Sequence, residues 1–192
     1  ASTVLMPMFA GFSLSYPQVD LHIVVSNIDS SLSQREADVA IRLTNSPTDT
    51  LIGKRLVTVA STIYASRDYL KQLLEKGGEP RWIGVECCAF HKSWTKQACP
   101  QHVHNFYSDD TLLTLSAIKQ GLGVSYLPCF MGDTEPQLER FSEPDPAHNL
   151  GLWILLHPDL KHTARVLAFR NHMDKSIQQI KEVFEGTLEE PV

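Results

Sequence analysis

The stretch 108–128, S-D-D-T-L-L-T-L-S-A-I-K-Q-G-L-G-V-S-Y-L-P, sets a helix start, a helix stop and a strand side by side. Acidic capping residues precede an apolar run, which reads as a helix from about Asp110 to Gln120; Gly121 ends it by supplying the left-handed residue that a helix terminus takes. Val124 to Leu127 is short and apolar, which reads as a buried strand closed by Pro128. A helix returning at once to a buried strand is the repeating motion of an α/β fold.

The same alternation extends outward. Upstream, strands are expected at Trp82–Glu86 and Val103–Tyr107, and a capped helix over Ser66–Lys76 stops at Gly77-Gly78. Ile52–Ala65 is rich in Val, Thr and Ile and forms one or two strands; Ala37–Leu43 and Val19–Val25 form two more, around one or two helical turns at Leu32–Glu36. A first helix, capped by Ser2 or Thr3, carries Leu5, Phe9 and Phe12 at helical spacing and exits at Tyr16-Pro17. Downstream, the Pro-rich tract Glu135–Pro146 reads as mostly loop, Leu150–Leu156 as a strand, and Thr163–Phe184 as one helix bearing Val166, Phe169, Met173, Ile177, Ile180 and Phe184. The pattern predicts mainly parallel sheets, with ligands at the carboxyl ends of strands.

Composition narrows the function. The 192 residues suit one large domain or two small ones, and 43% hydrophobic with 20% charged residues excludes a disordered chain. No apolar run approaches the roughly 20 residues of a membrane span. Seventeen Lys and Arg against 22 Asp and Glu give a net charge of -5, so the chain as a whole repels a phosphate backbone. Four cysteines make no disulfide framework, and free thiols in a reducing cytosol are expected. The chain opens on Ala1 and is amphipathic within a few residues, as expected of a piece of a longer protein. There is no G-x-S-x-G, P-loop, H-E-x-x-H or glycine-rich dinucleotide loop, and the adjacent carboxylates Asp109 and Asp110 point different ways on a helix start. Binding, rather than turnover, is the expected function, with no cofactor.

Five ordered segments carry a resemblance: Y-P-Q-V-D-L-H-I at 16–23, R-E-A-D-V-A-I-R-L at 35–43, Y-A-S-R-D-Y-L at 64–70, the run 108–128, and L-W-I-L-L-H-P-D-L-K-H-T-A-R-V-L-A-F at 152–169. Together they resemble the effector-binding domain of LysR-type transcriptional regulators over nearly the whole chain. The resemblance implies two Rossmann-like α/β subdomains joined by two crossing strands, like periplasmic binding proteins of the second type. It places 1–65 plus 161–192 in subdomain I and 66–160 in subdomain II, with a small effector in the cleft. It also implies a cytoplasmic homodimer in which subdomain I faces subdomain II of the other copy, becoming a homotetramer at full length. DNA would be bound only through an N-terminal winged helix-turn-helix that this chain does not contain. A solute-binding protein of a transporter is the alternative on the same fold, and an enzyme built on it a third.

Candidate site residues follow from chemistry and the resemblance together. Ser2 and Thr3 stand at a helix N-terminus, which favours anions, although they would serve equally as simple caps. Ser26 and Asn27 follow a strand and offer a hydroxyl and an amide. Arg42 could pair with an acidic effector or with Asp38 or Glu36. Ser108 and Asp109 lie where a strand meets a helix, one to cap and one to meet ligand. The tract 87–104 gathers Cys87, Cys88, Cys99, His91, His102 and His104, a set that invites zinc or redox sensing; its spacing matches no familiar zinc module, so no metal is expected.

Overall fold

The computed structural model describes residues 2–25, 37–47, 51–85, 89–99 and 106–187. The chain divides into two compact units, 1–59 with 150–182 and 60–149 with 183–192.

In the first unit, helix α1 (Ser2–Ser15) precedes strand β1 (Val39–Thr44) and strand β2 (Ile52–Val59); strand β8 (Leu150–Leu156) lies between these two and runs antiparallel to both. Helix α6 (Ala164–Gln179) covers one face of this sheet, where Lys54 Nζ meets Asp174 at 2.6 Å and Gln178 donates to the Leu56 carbonyl. Helix α1 packs on α6 through Phe12, whose ring meets Phe169 edge-on at 5.0 Å, and His172 Nε2 lies 2.9 Å from the Met8 carbonyl. Ile154, Leu155, Leu156, Met173 and Ile177 are almost wholly buried.

In the second unit, strand β3 (Ser61–Ser66) is flanked by strand β6 (Ser125–Pro128) and strand β7 (Leu138–Arg140), both antiparallel to it. Strands β4 (Gly84–Val85) and β5 (Tyr107–Ser108) pair in parallel across helix α3 (Ala89–Ala98). Helix α2 (Arg67–Lys76) is capped by Ser66, whose hydroxyl accepts from the Tyr69 amide, and is closed by Gly77 at φ +66°. Helix α4 (Thr111–Lys119) packs Ala117 and Ile118 against Tyr64, Ile83, Leu127 and Leu138. The short helix α5 (Cys129–Gly132) presents Gly132 to the Tyr64 ring, where a Cβ would collide with the aromatic carbons. Helix α7 (Lys181–Glu185) buries Phe184, 5.1 Å from Phe130.

Several expectations are corrected. Residues 19–25 form no strand: Ile23, Val24 and Val25 are 48, 83 and 89% exposed, because β-propensity yields a strand only beside a hydrogen-bonding neighbour. The described pairings are mostly antiparallel rather than parallel, since β2 and β8 carry the chain out of and back into the first unit in opposite directions. The chain changes unit at 59/60 and 149/150, where Val59 pairs with Leu150 at the end of β2 and the start of β8. The expected terminal helix breaks at Ile180, leaving α6 with the first unit and the chain from Val183 with the second. The tract 135–146 is mostly loop as expected, around the three-residue β7, while the Cys/His-rich tract holds α3. The turns expected at Leu32–Glu36 lie outside the described residues.

Candidate functional site

The parallel pair β4 and β5 sends both chains out at the same end, where a fold of this kind binds small molecules. Helix α4 starts there. Asp110 caps it: the carboxylate accepts from the Leu113 amide at 2.7 Å, and the Asp110 carbonyl receives the Thr114 amide and hydroxyl, both at 3.0 Å. Ser108, 5% exposed, braces the same turn, its hydroxyl donating to the Asp110 carbonyl at 2.9 Å and accepting from the Asp110 amide at 3.1 Å. The cap is therefore neither Ser108 nor Asp109. Asp109 is exposed and makes no hydrogen bond among the described residues, so its charge stands at the end of β5 beside the helix start.

Helix α3 connects the two parallel strands and is held by rings. Trp94, 5% exposed, lies 4.8 Å from the His148 ring, 4.9 Å from His91 and 5.6 Å from Tyr126, and Trp82 meets Tyr126 at 6.3 Å. Burial and the nearby Asp145 carboxylate raise the Tyr126 hydroxyl above its ordinary value. Phe90 and Trp94, four residues apart, carried the helical signal that the cysteines and histidines around them obscured.

Of the thiols and histidines weighed above, Cys87, Cys88, His102 and His104 lie outside the described residues, and Cys99 is half-buried. Among the described residues no group of three His, Cys, Asp or Glu is placed to hold a metal ion. Cys129 is fully buried, and burial pushes its thiol upward, a setting for an inert cysteine. It lies beside a network in which the Tyr64 hydroxyl donates to Asp133 at 2.7 Å while Arg140 grips the same carboxylate with two bonds, at 2.9 and 2.7 Å, and donates to the Gly186 carbonyl at 2.7 Å. Desolvation raises the Tyr64 hydroxyl far above its usual range, and the Asp133 carboxylate raises the Arg140 guanidinium. These groups secure β7, α5 and the terminal segment of the second unit.

On the first unit, Ser2 and Thr3 are the first residues of α1; their side chains lie outside the described residues, as do Ser26 and Asn27. Pro7 lacks an amide hydrogen, so it cannot bond the Thr3 carbonyl one turn earlier. Arg42 lies in mid-strand, register partner of Trp153, rather than at the carboxyl end of β1, where Thr44 and Asn45 stand. Its acidic candidate Asp38 meets Arg165 at 3.3 Å.

The family model of the LysR substrate binding domain matches residues 1–178. The chain belongs to that family. A probable HTH-type transcriptional regulator LtrA of Klebsiella pneumoniae is 25% identical over 91% of this chain, and the match spans 62% of that protein's length. The effector domain of AmpR from Pseudomonas aeruginosa (20% identity, 93% of this chain, 90% of that one) and the regulatory domain of CrgA from Neisseria meningitidis (20%, 90 and 91%) each superpose with a TM-score of 0.73. This domain is thus an effector-sensing domain of the LysR kind and not a transporter's solute-binding protein. Among the described residues no helix is long and apolar enough to cross a membrane.

Proposed function

We propose that this domain binds a small polar or anionic metabolite, and that binding controls DNA binding or transcription activation by the full-length oligomer. The observation that carries the reading is the family match over residues 1–178. Ser2, Thr3, Ser26 and Asn27 supply a helix N-terminus, hydroxyls and an amide for an anionic group. On the second unit the effector meets the end of β5, with Ser108 fixing the turn and Asp109 exposed. Because Asp110 does the capping, the Asp109 charge faces whatever binds there, which favours an effector bearing an amine as well as an anion. Arg42, in the middle of β1, is a further candidate for the effector's acidic group.

Self-association is part of the proposal. Helix α1 leaves Met6, Pro7, Ala10 and Leu14 exposed along one stripe, Met6 at 50% and Leu14 at 84%, while α4 exposes Leu112 and Leu113. The first unit carries nine Lys and Arg against eight Asp and Glu; the second carries eight against fourteen. A two-fold dimer that sets α1 of one copy against α4 of the other covers both stripes and brings opposite charge together. Thermal-shift screening against amino acids, hydroxy acids and aromatic acids, followed by calorimetry with the best compound, tests the effector reading. Stabilisation by one amine-bearing acid, weakened in D109N, is expected; no stabilisation by any polar or anionic class contradicts it.

A further inference from the structure

Buried hydroxyls are hydrogen-bonded as a rule, because the water they give up has to be replaced. Seven serine and threonine side chains are buried among the described residues, all in the second unit, and six of them bond. Thr62 donates to the Ser142 carbonyl at 2.6 Å, Thr95 to the His91 carbonyl at 2.9 Å and Ser125 to the Ile83 carbonyl at 3.1 Å, while Ser66, Ser108 and Thr114 serve the helix starts described above. Ser61 is the exception. It is 1% exposed, and its Oγ has no hydrogen-bond partner among the described residues. Such a group costs stability, and a binding role is one of the few reasons to keep it.

The strands of the second unit put Ser61 at a particular end of the fold. A parallel bridge between Trp82 and Val124 sets β6 beside β4, β5 lies parallel on the other side of β4, and β3 lies beyond β6, so the strands follow one another in the order β5, β4, β6, β3. Tyr107 is the register partner of Gly84, and Tyr126, two residues on from the bridge, is level with Gly84 as well. Two residues further along, Asp109 follows β5 and Pro128 closes β6, and Pro128 is the register partner of Ser61. Asp109 and Ser61 therefore stand in one row at the carboxyl end of the parallel strands, the end at which such folds take ligands. Asp109 is the exposed carboxylate that bonds nothing among the described residues, and Ser61 is the buried hydroxyl that does the same.

We propose that Ser61 is an effector-binding residue, receiving the acidic group of a ligand whose amine meets Asp109, and that the row they share selects an elongated amine-bearing acid. Adjacent strands lie about 4.8 Å apart, so three spacings separate the two residues by roughly 14 Å. A hydrogen bond of about 3 Å at each end leaves roughly 8 Å between the two polar groups of the ligand. The ammonium and carboxylate of an α-amino acid, held one carbon apart, do not span that distance; an acid with its amine several carbons away does. The serine hydroxyl donates to a carboxylate, and its burial makes that bond stronger than one made in water. This inference rests on the effector reading above and adds to it the length of the ligand.

The test has two arms, melting temperature without compound and calorimetric titration with the series glycine, β-alanine, γ-aminobutyrate, δ-aminovalerate and ε-aminocaproate, each on the 192-residue chain, S61A and D109N. Without compound, S61A should melt at or above the parent's temperature, because the substitution removes a desolvated hydroxyl and breaks no bond. The parent should bind the two longest acids about tenfold or more tightly than glycine. S61A and D109N should each lose about fivefold or more on those two and flatten the dependence on length. A lower melting temperature for S61A means that the hydroxyl has a partner within the protein and overturns the assignment. Binding without preference for length, binding unchanged in S61A, or binding of none of the series also overturns it, and leaves the effector reading standing if the thermal-shift screen finds another polar or anionic ligand. Failure of that whole screen overturns both.

Discussion

Replacing Asp110 by Ala separates the two adjacent carboxylates at the start of α4. The Asp110 side chain accepts the Leu113 amide at 2.7 Å, a charge-assisted bond at a helix N-terminus, whereas Asp109 next to it bonds nothing among the described residues. Loss of an acidic N-cap costs about 1 kcal/mol, within a range of roughly 0.5–2. Ser108 and Thr114 bond the Asp110 backbone and keep the turn formed in the variant, so the loss is confined to the side-chain bond and its charge. With a urea m-value of about 2–3 kcal/mol per molar, D110A should lower the unfolding midpoint by about 0.3–0.5 M at unchanged m. D110N, which keeps an acceptor and loses the charge that favours the helix dipole, should fall between D110A and the parent. D109A, a surface change, should stay within about 0.5 kcal/mol of the parent. The assay is urea unfolding followed by circular dichroism. If D109A costs as much as D110A, the cap has been assigned to the wrong residue, and with it the argument that the Asp109 charge is left for the effector.

Arg140→Met should destabilise the second unit by about 2–4 kcal/mol, because it strips the bidentate partner from Asp133, whose side chain is only 14% exposed, and releases the Gly186 carbonyl; thermal unfolding reads the loss. Gly132→Ala should be severe and Gly84→Ala mild, since the first drives a Cβ into the buried Tyr64 ring and the second into the ring of Tyr107, which is 55% exposed and can swing away; comparative melting temperatures decide. Stability should fall at alkaline pH. Tyr64, Tyr126 and Cys129 are held neutral by burial, so their contribution is complete below the unfolded-state values near 9 for the thiol and 10 for the phenols, and is lost as pH rises beyond them; urea midpoints between pH 7 and 11 test the sign.

What the sequence disclosed follows from where local chemistry is sufficient. Leu150–Leu156 reads as a strand because an unbroken apolar run bounded by Asn149 and His157 suits one buried on both faces, and the structure assigns those same residues to β8. Helices α2 and α4 carry their caps in sequence, Ser66 and Asp110. Val19–Val25 misled because β-propensity says nothing of whether a neighbouring strand is present. Strand β7 was hidden among prolines that flank it without entering it, and the break at Ile180 preserves the apolar spacing on either side. The capping role fell on Asp110 rather than its neighbours because cap geometry depends on a backbone turn, here the one that Ser108 closes. Arg42 and Arg55 are thirteen residues apart in sequence and come to flank Trp153 only through the pairing of β1 and β2 with β8.

The central claim is that this domain senses a small polar or anionic effector through the helix start and strand ends named above. Calorimetric titration of the chain, T3A and N27A with the compound selected by thermal shift tests it most directly. Loss of one hydrogen bond to a charged or strongly polar group is worth about 1–2 kcal/mol, so each variant should bind about five- to thirtyfold more weakly while melting at the parent's temperature in the absence of compound. Unchanged affinity in both variants would place the effector elsewhere.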